Sequence, residues 1–202
     1  MIAESEKRKV LKTTKTIISY IEKIRDESRQ KAILARLRNS INKPLSENFD
    51  VLPFLFENLP GEFLGTTDEA SPEEKSILST LQLYALSKQG KVRTQNEGDD
   101  VPDKLLSFGA SLRTIREGDK MEALDRRFNA MITSDGFSEW VVHLRHLVKI
   151  IKSSEKNVRV DYPRLAEDLF WIAKGYKTNV RLQWSRDYYR MNFKGEEKNE
   201  KK

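Results

Sequence analysis

The chain has 202 residues, 34% of them charged and 38% apolar, with a mean hydropathy of −0.66, enough for one large or two small domains with a real core. Its 37 Lys and Arg against 31 Asp and Glu give a net charge of +6 and a pI near 9.4, a basic excess that permits nucleic-acid binding without requiring it. With no cysteine, disulfides, thiolate metal sites and a Cys nucleophile are excluded, and with no 18-residue apolar run and no signal-peptide core at the N-terminus, a cytoplasmic, non-membrane protein is expected.

Glu4 to Glu27 reads as a first helix, with Val10, Thr14, Ile17, Ile18, Ile21 and Ile24 at helical spacing. Lys7, Arg8, Lys9, Lys12 and Lys15 make its start basic and are read as a solvated face. A second helix is expected from Ser28 to Ser40, with Ile33, Leu34, Leu37 and Ile41 inward, Arg36 opposite and Arg38 nearer their edge. Lys43-Pro44 stops it. Phe49 to Leu59 is short and apolar, a buried helical turn opened by Pro53 and closed by Pro60-Gly61. Ser71-Pro72-Glu73-Glu74 is the clearest boundary: a capping Ser, Pro at the first helical position and an acid at the third. Ile77, Leu78, Leu81, Tyr84 and Ala85 then line a core face that stops at Gly90.

Lys91 to Asp100 is polar and aperiodic. Residues 91–101 are therefore expected to be a mobile basic loop between an N-terminal helical subdomain, 1–90, and a C-terminal one, 102–192. Lys91 and Arg93 sit on this loop, where they either follow a nucleic-acid backbone or simply face solvent.

Three helical patterns follow between Leu105 and Lys152, separated by Gly118-Asp119 and Ser134-Asp135-Gly136. The middle one has Asp119 as its expected N-cap with Glu122 three residues on, and an apolar face of Met121, Leu124, Phe128, Met131 and Ile132. The third buries Phe137, Trp140, Val141, Leu144, Leu147, Val148 and Ile151, and carries Arg145, Lys149 and Lys152 at i, i+4 and i+7 as a second stripe beside them. After a linker from Ser153 to Arg159, Asp161 caps a helix through Leu165, Leu169 and Ile172 that ends at Gly175. A last helix from Thr178 to Asn192 packs Val180, Leu182, Trp184, Tyr188 and Tyr189, with Arg181 either snorkelling or paired. Residues 193–202 are expected to form a disordered charged tail. The fold class is all-α: a bundle of about eight to nine helices with no sheet.

Nothing argues for an enzyme. His143 and His146 are three apart on one helix, but no third ligand is spaced to join them, and they read as packing residues. Asp99, Asp100 and Asp103 read as loop and helix-start acids rather than a cation site. There is no GxxxxGK[ST], GxGxxG or GxSxG pattern, so no cofactor is expected. Backbone recognition by cations remains, since neutralising phosphates needs charge in register but no base-specific geometry. Arg145, Lys149 and Lys152 are its best candidates because one helix presents all three. Any of them could instead form a surface salt bridge. Trp171, Trp184, Tyr188 and Tyr189 could stack on bases, though their spacing favours core packing.

An ordered set of segments adds a family. Ala123-Leu124-Asp125-Arg126-Arg127-Phe128-Asn129-Ala130, Thr133-Ser134-Asp135, His143-Leu144-Arg145-His146-Leu147-Val148, Val160 to Leu169 and Val180 to Tyr189 resemble the CasB family, the small subunit of the type I-E CRISPR surveillance complex Cascade. Ala35-Arg36-Leu37-Arg38 and Ser107 to Arg116 also fit, and coverage runs from about Ala32 to Tyr189. The resemblance implies a non-catalytic subunit, paired with a second copy of itself and with other Cascade subunits. It would lie beside the guide RNA and hold the target and displaced DNA strands of the R-loop. It adds Arg36, Arg38, Arg113, Arg116, Arg126 and Arg186 to the candidate contacts. A helical scaffold that joins protein subunits without touching nucleic acid is the alternative. A long N-terminal helix and the charged tail depart from the family pattern.

Overall fold

Helical periodicity carries through into the observed elements. The structure is a computed structural model that describes residues 2–41, 43, 45–90 and 105–190, the side chains of residues 2–7 and Lys120 excepted. Among these residues are nine α-helices: α1 (Ile2–Lys23), α2 (Glu27–Asn39), α3 (Leu52–Asn58), α4 (Pro72–Lys88), α5 (Phe108–Thr114), α6 (Met121–Thr133), α7 (Phe137–Ser153), α8 (Tyr162–Ala173) and α9 (Lys177–Tyr189). Three short 3-10 turns join them. The described residues contain no β-strand. One parallel bridge ties Leu106 to the chain before α8: Leu106 N donates to the Arg159 carbonyl, and Asp161 N to the Leu106 carbonyl, each at 2.9 Å. The expected loop at 91–101 with Lys91 and Arg93, the acids Asp99, Asp100 and Asp103, Pro44 and the tail at 193–202 lie outside the described residues.

Side-chain caps account for four of the nine described helix starts, those of α2, α4, α5 and α8. At α4, Ser71 Oγ accepts from Glu74 N at 3.0 Å while Glu74 Oε2 accepts from Ser71 N at 2.6 Å, the reciprocal pair that the sequence predicts. At α8, Asp161 Oδ1 accepts from Arg164 N. Three expected boundaries are corrected. The first helix stops at Lys23 rather than Glu27, because Asp26 turns to cap α2 and accepts from Ser28 N and Arg29 N. Asp119 does not head α6: it lies inside a 3-10 turn, Gly118–Lys120, that feeds directly into Met121. Gly118 opens that turn at φ +59, a conformation in which a Cβ would be strained. The last helix spans Lys177–Tyr189, three residues short of the expected Asn192.

One hydrophobic core runs through the molecule. α8 packs on α4 and α1, and α7 also reaches α4, so the core is continuous across the expected boundary at 91–101. A second packing group joins α5 to α9 and α6 to α7. Here α9 is the hub. Trp184 sits between Phe108 of α5 and Trp140 of α7, with ring centroids 5.2 and 5.5 Å away. Its indole Nε1 donates to Asp168 of α8 at 2.7 Å, which satisfies the one polar atom that burial would otherwise strand. One turn on, Tyr188 stacks on Phe128 of α6 at 4.0 Å. Each such side chain contributes about 1.5–3 kcal/mol by leaving water, so two residues of α9 anchor four other helices.

Three residues expected on buried faces are exposed: Met121, Leu182 and Tyr189. Around α3 the apolar stretch is likewise only half inward, since Leu55 is buried while Phe56 is partly open and Phe49 is 74% exposed.

Candidate nucleic-acid interface

The candidate surface is built first from α7. At 100° per residue, Trp140, Val141, Leu144, Leu147, Val148 and Ile151 point one way, and all six are buried. Arg145, Lys149 and Lys152 fall within an arc of about 60° that borders the Val141–Val148 edge of that face. Their burial follows from this placement: Lys149 is exposed, while Arg145 and Lys152 lean on the apolar edge and are half-buried. None of the three has an ion-pair or hydrogen-bond partner among the described residues, and Arg145 Nε is shielded from water without an acceptor. Lys152 alone lies in the last turn, at the negative end of the α7 dipole.

Lys152 leads into a groove of about 710 Å³. Its walls are α1 with Lys15, Ile18 and Glu22, α4 with Tyr84 and Lys88, the end of α7, the expected linker at 153–159 and the start of α8. Val148, Ile151 and Val160 give it an apolar floor, and Lys15, Lys88, Lys152, Lys156 and Arg159 are on its walls against Glu22, Glu155 and Asp161. Several of these cations have partners. Lys88 pairs with Glu22 at 3.3 Å and lies over the Tyr84 ring. Lys156 donates to Glu117 and to the Thr114 carbonyl. Lys15 and Lys152 have none among the described residues. Periodicity assigns Lys15 to a solvated face and gives Lys156 and Arg159 no role. Their meeting depends on how α8 docks on α1 and α4, which no single segment encodes.

The other expected contacts divide. Arg36, Arg38, Arg113 and Arg186 are exposed or half-buried and have no partner among the described residues. They do not converge with the α7 stripe on one element. Arg126 faces solvent and pairs with Glu122 one turn back at 3.0 Å. Arg116 is tied into the framework. Its Nε and Nη2 both donate to Asp125 at 2.7 Å, and its guanidinium lies 5.4 and 5.3 Å from the rings of Tyr188 and Tyr189. Arg181 takes the paired alternative, donating to the Ser134 carbonyl at 2.5 Å.

Among the described residues, no group of three or more His, Cys, Asp and Glu could hold a metal ion. His143 faces Glu139 one turn away at 4.0 Å, and His146 is exposed. No described helix is long and apolar enough to cross a membrane. The surface therefore offers unpaired cations beside an apolar groove and a framework of satisfied polar groups.

Comparison with known proteins agrees with this all-helical design. No curated protein matches the chain. CasB from Thermobifida fusca superposes with a TM-score of 0.59 at 22% identity, over 90% of this chain and 96% of that one. CasB from M. ruber superposes with a TM-score of 0.64 at 19% identity, over 88% and 93%. At such identities these likenesses speak for the fold. Residues 33–189 match the family model of the CRISPR-associated protein Cse2, which spans most of the chain. That match begins one residue from the onset of the sequence resemblance and ends on the same tyrosine, so the chain belongs to the Cse2 family, the CasB family of type I-E Cascade.

Proposed function

We propose that this chain is a non-catalytic small subunit of the type I-E Cascade surveillance complex. In that role it grips nucleic-acid backbone without reading sequence, and so stabilises the R-loop of guide RNA, target strand and displaced strand. The observation that carries the reading is the stripe of Arg145, Lys149 and Lys152, three cations on one helix with no partner among the described residues, continuous through Lys152 with the basic-walled groove. Such a surface neutralises phosphates and releases their counterions while base pairing supplies sequence. A second copy of the chain, other Cascade subunits, guide RNA and the opened DNA are its partners in this reading. Arg36, Arg38, Arg113, Arg126 and Arg186, with Lys91 and Arg93, serve as outlying backbone contacts. Arg116 does not, since Asp125 holds it.

The scaffold alternative draws on a different observation. Tyr20, which stacks on Phe54 of α3, and Phe56, Leu64 and above all Phe49 are exposed apolar side chains of the kind that a protein neighbour covers. Both readings accommodate this observation, so salt dependence separates them. The full chain should bind a single-stranded oligonucleotide with an affinity that falls steeply as salt rises. Replacing Arg145, Lys149 and Lys152 together by Ala should flatten the slope of log K against log salt by about 2, at about 0.7 per phosphate contact, with helicity unchanged. A control removes the exposed Lys23, Arg25 and Lys31, none of which lies on α7 or lines the groove. If the control triple matches the stripe triple, bulk charge alone explains binding. If the unmodified chain binds no oligonucleotide, the scaffold reading takes over.

A further inference from the structure

The exposed face of α9 is the opposite of its buried one. Val180, Trp184 and Tyr188 are buried, and half a turn around the helix Leu182, Arg186 and Tyr189 form an outward stripe in which Leu182 is 49% and Tyr189 42% exposed. An aromatic ring on a surface is usually mobile, but this one is fixed. The Tyr189 hydroxyl donates to Asn129 Oδ1 at 2.9 Å, Phe128 and Tyr188 meet the ring edge-to-face at 5.9 and 4.8 Å, and the Arg116 guanidinium is 5.3 Å from its centre. Arg186 and Arg190 are exposed beside it with no side-chain partner among the described residues. Of the nearby acids, Asp125 is neutralised by Arg116 and also accepts from Tyr188, while Asp187 accepts from the Ser107 hydroxyl and forms no ion pair with either arginine.

We propose that Tyr189, flanked by Arg186 and Arg190, is a platform on which an unpaired base stacks while the arginines hold the adjacent phosphates. This gives a single strand a second contact, apart from the α7 stripe. The proposal rests on the nucleic-acid reading above and deepens it. The physical case is complementarity. A pre-ordered ring loses little freedom on binding, every base has a face that can stack, and two guanidiniums without an ion-pair partner among the described residues suit a polyanion. Paired bases are already stacked, so the platform discriminates single strands from duplex.

The test uses the full chain and a 20-nucleotide single strand carrying 5-iodouracil, with the matching duplex as comparison. Tyr189→Phe keeps the ring and should bind the single strand within about twofold of the unmodified chain. Tyr189→Leu should lose about tenfold, the scale of one stacked base, while duplex affinity and the salt slope stay unchanged. Arg186→Ala with Arg190→Ala should instead flatten the slope. Photocrosslinking of the unmodified chain should map to Tyr189, a readout that does not depend on any variant folding. Equal loss for single strand and duplex in Tyr189→Leu, no loss at all, or crosslinks confined to the α7 stripe each overturn the proposal and leave the stripe reading intact. So does an effect of these variants only on assembly with protein subunits, which makes the face a protein contact. Failure of the unmodified chain to bind any single strand refutes the nucleic-acid reading itself.

Discussion

Asp125→Ala is expected to lower stability at neutral pH by roughly 2–4 kcal/mol, below the full loss for a wholly buried pair because both partners remain about a quarter exposed. At about 3 °C per kcal/mol for a chain of this length, the melting temperature should fall by about 6–12 °C. The magnitude follows from what Asp125 satisfies. It accepts both forks of Arg116 at 2.7 Å and the Tyr188 hydroxyl at 2.5 Å, which joins the end of α5 to α6 and α9. Alanine leaves a guanidinium and a phenol on the flank of the core without their acceptor, and an abandoned donor costs more than a made bond contributes.

The same site sets a pH dependence. The Arg116 hydrogen bonds hold the Asp125 carboxyl below the usual carboxylate range against the opposing effect of burial, and the Tyr188 hydroxyl adds to the lowering. A carboxyl with a folded pKa below its unfolded value of about 3.9 contributes stability above that value and loses it as pH falls through the folded one. Asp125→Asn keeps the shape and removes the charge. The gap between it and the unmodified chain should be widest near neutrality and close as pH drops below about 4. A gap that stays constant with pH would mean that packing, not the ion pair, is what the substitution disturbs.

How far the sequence reveals this molecule depends on the range of the interaction. The capping box at Ser71 and Glu74 and the cap at Asp161 are legible because donor and acceptor lie three residues apart. The α7 stripe is legible for the same reason: one helix carries all three cations and the apolar face that orients them. Asp26 was hidden because Ile21 and Ile24 continue the helical spacing right up to it, so the apolar pattern outlasts the helix. Leu182 and Tyr189 look like core residues by type, yet the face bearing Trp184 and Tyr188 points inward and leaves them outside. The groove escapes altogether, since Lys15, Lys152 and Arg159 meet only after α8 docks on α1 and α4, and periodicity within a segment says nothing about which segments touch. Arg116 escapes likewise. A surface arginine and a framework arginine are the same letter until the partner on the next helix is known.

Gly109→Ala is the second large effect, and its cause is the backbone rather than a side chain. A Cβ added there would be 2.5 Å from the Trp184 carbonyl oxygen, 3.2 Å from its carbon and 3.1 Å from Asp187 Cβ. The first two atoms belong to the middle of α9 and cannot rotate away, so α5 and α9 must separate. Separation withdraws Trp184 from between Phe108 and Trp140 and stretches the bond of Ser107 to Asp187 one turn further along α9. Overpacking of this kind costs about 1–3 kcal/mol and more where backbone must move, and the better helix propensity of Ala returns at most about 1. A net loss of about 2–3 kcal/mol is expected by denaturant unfolding, with the near-ultraviolet tryptophan dichroism of the folded state altered because Trp184 has shifted. Gly61→Ala is the matched control. A Cβ at Gly61 meets nothing within 4 Å, so stability should change by less than about 0.5 kcal/mol. If Gly109→Ala were as harmless as Gly61→Ala, the close approach of α5 to α9, and with it the hub at Trp184, would be wrong.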